Sequence, residues 1–122
     1  MDMKMKIAHY AGILLAVGAL SGCMNSPKPI YSWDNYQATV YEYYKMDIGV
    51  EEQIAALKED IEKAKAKGLP VPPGLHAHLG MLYVNSGRPE LARTEFSEEK
   101  AQFPESAPFM DFLLKKMQGG AK

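Results

Sequence analysis

Few side chains in this 122-residue sequence are of a type and spacing that could carry chemistry: a thiol at Cys23, the histidines His76 and His78, and the adjacent acids Glu98 and Glu99. His76 and His78 stand two apart, which turns them away from each other on a helix. A helical metal pair is spaced by three or four. One histidine is therefore expected in a helical core and the other at the surface, with no metal between them. Glu98 and Glu99 are expected to be solvated. No Ser-His-Asp set comes with a supporting motif, and no glycine-rich loop is placed to cradle a phosphate. Catalytic, cofactor-binding and metal-binding residues are accordingly expected to be none, and the chain is not read as an enzyme. A net charge of -1, with acids and bases interleaved, leaves no basic footprint for nucleic acid. One cysteine cannot close an internal disulfide, so Cys23 needs another purpose.

Its flanks supply one. In MDMKMKIAHYAGILLAVGALSGC, Lys4 and Lys6 form a positive region, Ile7 to Leu20 an apolar region, and Leu20-Ser21-Gly22 a small-residue cleavage site. This is the pattern of a secretory signal peptide, and the apolar run is short for a membrane-spanning helix. Leu20-Ser21-Gly22-Cys23 resembles the lipobox of bacterial lipoproteins. That resemblance implies removal of residues 1–22, a diacylglyceryl group on the Cys23 thiol and a further acyl chain such as palmitate on the freed amine. Each buried methylene of such chains contributes about 0.8 kcal/mol to membrane binding. In Gram-negative lipoproteins an aspartate after the cysteine signals inner-membrane retention; Met24 stands there instead. The expected location is the periplasmic face of the cell outer membrane.

Residues 23–32 then read as the lipidated cysteine and a tether. Its MNSPKPI stretch reaches at most about 25 Å when extended, so the body is held close to the bilayer. The body is expected to span 33–118, followed by a tail at 119–122. Its first helix is expected in YSWDNYQATVYEYYK, with Trp33, Tyr36, Val40 and Tyr44 on the buried stripe, Tyr43 beside them, and Ser32 or Asp34 as cap. Tyr41, one step off that stripe, is the aromatic expected to be exposed and a candidate for partner binding. VEEQIAALKEDIEKAKAKG predicts a second helix with Ile54, Leu57, Ile61 and Ala64 inward, acids first, lysines last and Gly68 as the stop. The lysines are read as a solvated helix end, because glutamates interleave with them. LPVPPG is a stiff connector, with Pro73 suited to a first helical turn.

From Pro73 to Ser106, Leu79-Gly80, Tyr83, Gly87, Ala92, Phe96 and Pro104 resemble the tetratricopeptide pattern. The resemblance implies a helical hairpin in which Gly80 and Ala92 form the close crossing and Phe96 packs below it. His76 and Glu99 depart from it, standing where tryptophan and alanine are preferred. A single such unit cannot bury its own face, so the preceding pair of helices and a closing helix, SAPFMDFLLKKMQ, must cover it. Phe109, Phe112, Leu113 and Met117 are expected on the closing helix's buried side, with Ser106 as its cap. The fold expected is all-α: tetratricopeptide-like hairpins with a C-terminal closing helix, after a signal peptide. Where repeat domains clamp a peptide carboxylate, this chain carries Ala77, Met81, Val84 and Asn85, and only Asn85 suits that role. The apolar strip is expected either to lie under the first helix or to dock a partner.

The strings YSWDNYQ, EEQIAALKEDIEKA, VPPGLHAHLGMLY and FPESAPFMDFLLKKM, together with Cys23, are similar to a family of small Gram-negative lipoproteins named only as a domain of unknown function. The resemblance implies no reaction. Its genes often stand beside a curli-secretion-like outer-membrane lipoprotein, which implies envelope lipoproteins as partners. Two functions are carried forward: an anchored interaction or assembly module, and a binder of small lipid or peptidoglycan fragments in an aromatic-lined groove.

Overall fold

The computed structural model describes residues 2–19 and 26–120. Cys23 and its expected cleavage site lie outside the described residues. Every regular element among those described is helical: α1 (Met3–Ala19), α2 (Tyr36–Lys45), α3 (Val50–Lys67), α4 (Leu75–Asn85), α5 (Pro89–Gln102) and α6 (Ala107–Gly119), with a single 3-10 turn at Pro104–Ser106. The body is thus five helices, two hairpins and a closing one. No helix among the described residues is long and apolar enough to cross a membrane. In α1, Ile7, Tyr10, Ile13 and Leu14 are exposed.

The two central helices follow their sequence signals. α3 has Glu51 and Glu52 in its first turn and Lys65 and Lys67 in its last, both favourable to the helix dipole. It stops at Gly68, whose φ of +63° lets its N–H turn back to the Ala64 and Lys65 carbonyls. α4 stops before Gly87 (φ +72°), and Pro89 opens α5. Ile54, Leu57, Leu75, Leu79, Leu82, Ala92, Phe96 and Met110 form the shared core. The hairpin crossing is tighter than a glycine–alanine contact. A Cβ on Gly80 would lie 2.5 Å from the Phe96 ring, which is itself fully buried. The atoms nearest to that Cβ position all belong to Phe96, and Ala92 packs in the same core.

The ends of the body depart from expectation. α2 begins only at Tyr36, because Ser32 is tied by its N–H to the Pro70 carbonyl at 3.0 Å and Asp34 turns through a positive φ of 25°. The cap residue is Asn35, not Ser32 or Asp34. Trp33 consequently lies before the helix and is 42% exposed, stacked on Tyr36 with ring centroids 6.2 Å apart. With the register set from Tyr36, Thr39 is buried and Tyr43 packs on the core, while Tyr44 is exposed. Pro73 likewise stands just outside α4, whose cap is Gly74 at φ +93°.

The closing helix is rotated from its expected face. Met110 is buried, and Leu113, Leu114 and Met117 pack against the core. Phe109 and Phe112 are more than half exposed and stack on each other at 6.3 Å. The three-residue step from Phe109 to Phe112 and the step from Met110 to Leu113 trace adjacent faces, and the core takes the one with the less bulky side chains. The expected tail begins inside the helix, since α6 runs through Gly119.

Candidate functional site

Two buried carboxylates fix the frame on which any surface is presented. Asp60, fully buried on α3, accepts hydrogen bonds from the Asn35 backbone N–H at 2.9 Å and from its side-chain amide at 3.0 Å. Glu99, 2% exposed on α5, accepts the Gly74 N–H at 2.6 Å and the Ala77 N–H at 3.2 Å. Each hairpin therefore uses an acid from its second helix to cap the start of its first. The second pair repeats the first at a step of 39 residues (35 to 74, 60 to 99). A carboxylate is well placed there, because the first N–H groups of a helix have no partner within it and carry its positive dipole end. Burial pushes the Asp60 carboxyl above the usual aspartate range, against the two bonds from Asn35, which pull it down. Glu99 is thus not solvated as expected; Glu98 beside it is exposed. The departure from the alanine preference at that position is the cap itself.

One histidine lies in the core as expected, and the other is half-buried instead of standing at the surface. His76 is buried, with Nδ1 2.7 Å from Glu95 and Nε2 3.2 Å from the Gln102 amide nitrogen. It borders a cleft of about 390 Å³ between α3 and α5, lined by Ile61, Val71, Glu95 and Glu98 among others. His78 points elsewhere, between the edges of Tyr36 and Tyr43 of α2, with ring centroids 6.4 and 5.0 Å away. Burial lowers its pKa, and its Nε2 has no partner among the described residues. Among those residues no three His, Cys, Asp or Glu side chains gather where a metal could sit.

The strip expected to face a partner divides three ways. Met81 and Val84 line an apolar groove of about 340 Å³ with Phe96, Leu113, Lys116 and Met117. The helix beside this strip is the closing helix, not the first one. Ala77 is half-buried, its N–H held by Glu99. Asn85 looks the other way and donates to the Tyr43 hydroxyl at 3.2 Å. α2 therefore lies over the His78–Asn85 side of α4, while the Met81–Val84 side is walled by α6 and left open. Tyr41 is 60% exposed, as its offset predicts, with the Lys45 ammonium 5.2 Å from its ring centre. The exposed Phe109–Phe112 pair on α6 went unread from the sequence. Its signal was the second apolar face of that helix, which holds more large apolar residues than one face can bury.

Residues 30–113 match the family model described as "Domain of unknown function (DUF4810)". None of the curated proteins and none of the solved structures matches the chain.

Proposed function

The chain belongs to the DUF4810 family, and on that premise we propose that it is a lipid-anchored interaction module of the outer membrane's periplasmic face. In this reading Cys23 carries the acyl chains, the residues up to Ser32 are the tether, and the two hairpins are tetratricopeptide-like. The observation that carries it is the open groove between α4 and α6. There Met81, Val84, Leu113 and Met117 present apolar surface, and the adjacent face of α6 exposes two stacked phenylalanines. Aromatic and methionine side chains are favoured at the centres of protein interfaces. Helical hairpins of this kind present surfaces and seldom do chemistry, so no catalytic role is assigned. The partners proposed are other envelope lipoproteins, a curli-secretion-like complex among them.

The anchor is tested by metabolic labelling with a fatty acid and cell fractionation. Wild type takes up label and fractionates with the outer membrane; Cys23→Ser takes up none and persists as the uncleaved precursor. Equal labelling of the two would remove the lipoprotein reading. The second function, a binder of lipid or peptidoglycan fragments, is supported by the exposed face of the Trp33–Tyr36 stack. Quenching of Trp33 emission by such fragments, in the full chain, separates it from the first.

A further inference from the structure

We propose that the patch formed by Ile30, Tyr31 and Trp33 sits in the headgroup layer of the bilayer that holds the protein. The inference rests on the anchored reading above and adds which face of the body meets the lipid. The chain joins the body at Ser32, which is 2% exposed and whose N–H donates to the Pro70 carbonyl at 3.0 Å. Lys67, at the end of α3, closes the joint: its Nζ donates to Ser32 Oγ at 3.3 Å and to the two Asp34 carboxylate oxygens at 2.8 and 3.0 Å. From Cys23 to Ser32 the chain can reach at most about 30 Å. A tether that short, pinned at that point, keeps the surface around Ser32 close to the lipid.

That surface is apolar and aromatic on both sides of the joint. Ile30 is 74% exposed just before it, and Trp33 is 42% exposed just after it. The Tyr31 ring meets the Trp33 ring edge-on at 6.2 Å and leans on the buried Phe103 at 6.1 Å. With Tyr36 stacked against it as well, the indole is braced by two rings and contacts lipid without rearranging. Tryptophan and tyrosine are enriched at the boundary between water and hydrocarbon, where an apolar ring and a polar N–H or O–H each find their own phase. The local charges suit phospholipid headgroups. Asp34 is the only acid from Ser26 to Tyr36, and Lys67 pairs with it; Lys28 in the same stretch is an exposed cation. Lipid is the occupant favoured here because the anchor itself supplies it at high effective concentration, so that weak contacts suffice. The patch shares no residue with the Met81–Val84 groove.

Trp33 is the sole tryptophan of the chain, so its emission reads the patch alone. The protein is purified from its native membrane and reconstituted into vesicles of phosphatidylethanolamine with a minority of phosphatidylglycerol. The lipids are used with and without bromine on the acyl carbons nearest the headgroup. Mass spectrometry of the same sample reports whether Cys23 is acylated. Trp33 emission is expected to move to shorter wavelength in the vesicles and to be quenched by the brominated lipid. In Trp33→Phe combined with Glu52→Trp, the one indole stands on an exposed position toward the other end of α3, about 22 Å from Lys67. Its quenching should be several-fold weaker. Ile30→Asp, also at an exposed position, should remove most of the quenching of Trp33 and leave the melting temperature unchanged. Quenching without acyl mass would sink the anchor reading and leave the lipid contact standing. With or without acylation, quenching at Trp33 no stronger than at position 52, or unchanged in Ile30→Asp, overturns the proposal. Equal quenching by a brominated short-chain phospholipid below its micelle concentration also overturns it and assigns the stack to free lipid fragments.

Discussion

The Glu99 carboxylate on α5 accepts the Gly74 N–H at 2.6 Å, tying the end of one helix of the second hairpin to the start of the other. Its second oxygen reaches Ala77 at 3.2 Å, so one side chain satisfies two of the N–H groups that a helix start leaves open. In the first hairpin Asp60 accepts one such backbone N–H, that of Asn35, together with the Asn35 side-chain amide. Both acids are buried among apolar neighbours, where removing the acceptor leaves the donors stranded.

Glu99→Ala should therefore destabilise the fold by about 2–3 kcal/mol, the scale of losing a charged hydrogen-bond acceptor with its donors left buried. Glu99→Gln keeps one acceptor oxygen and should lose clearly less. Urea denaturation of the two variants checks the order. Equal loss would mean that shape at this position matters more than the capping bonds.

Gly80→Ala is expected to cost about 1–3 kcal/mol, because the added Cβ meets a Phe96 ring with nowhere to go. Lys65→Leu, on an exposed helix end, should stay within about 0.5 kcal/mol. Thermal melts of both distinguish a close-packed crossing from a loose one.

His78 gives the fold a dependence on pH. Its pKa is held below the ordinary 6.5 by burial, with Tyr36 and Tyr43 of α2 facing its ring. The unfolded chain therefore takes up this proton at a higher pH than the folded one does. Between the two values the unfolded state binds more protons, so stability rises with pH. The contribution is complete above about 6.5 and is lost as pH falls through the folded value. Melting temperatures from pH 5 to 8 should decline on the acid side in wild type and change less in His78→Gln. Matching slopes would place the acid sensitivity elsewhere.

Trp33 and Tyr41 should behave more alike than their positions in the aromatic segment suggest. Tyr41→Ala is expected within about 0.5 kcal/mol of wild type. Trp33→Ala loses a stack on Tyr36, worth about 0.5–1.5 kcal/mol, and not the larger loss of a core tryptophan. Denaturant midpoints of the two variants measure the difference.

The helices themselves were legible where local signals agree. The acids and lysines of α3, Gly68, Gly87 and Pro89 mark starts and stops through caps, dipoles and fixed φ, all of which act within a few residues. What could not be read depends on contacts between distant residues. The start of α2 is set by Pro70 holding Ser32 and by Asp60 reaching Asn35, and that shift exposes Trp33 and Tyr44. Glu99 looked like a solvated acid because its donors lie 22 and 25 residues away. The closing helix has two apolar faces, and its sequence alone does not choose between Phe109–Phe112 and Met110–Leu113. In the candidate groove, Met81 and Val84 were legible as an apolar strip; that α6 would wall it and turn Asn85's side over to α2 was not.

The partner proposed above would meet this protein at the α4–α6 groove. A photo-crosslinking amino acid placed at Val84 or at Phe112, in the full chain in its native membrane, tests this most directly, with Lys65 as the control position. Discrete adducts of one mass are predicted from Val84 and Phe112, absent at Lys65 and lost when Met81→Glu is added. Adducts that form equally at Lys65, or that persist unchanged in Met81→Glu, would contradict it.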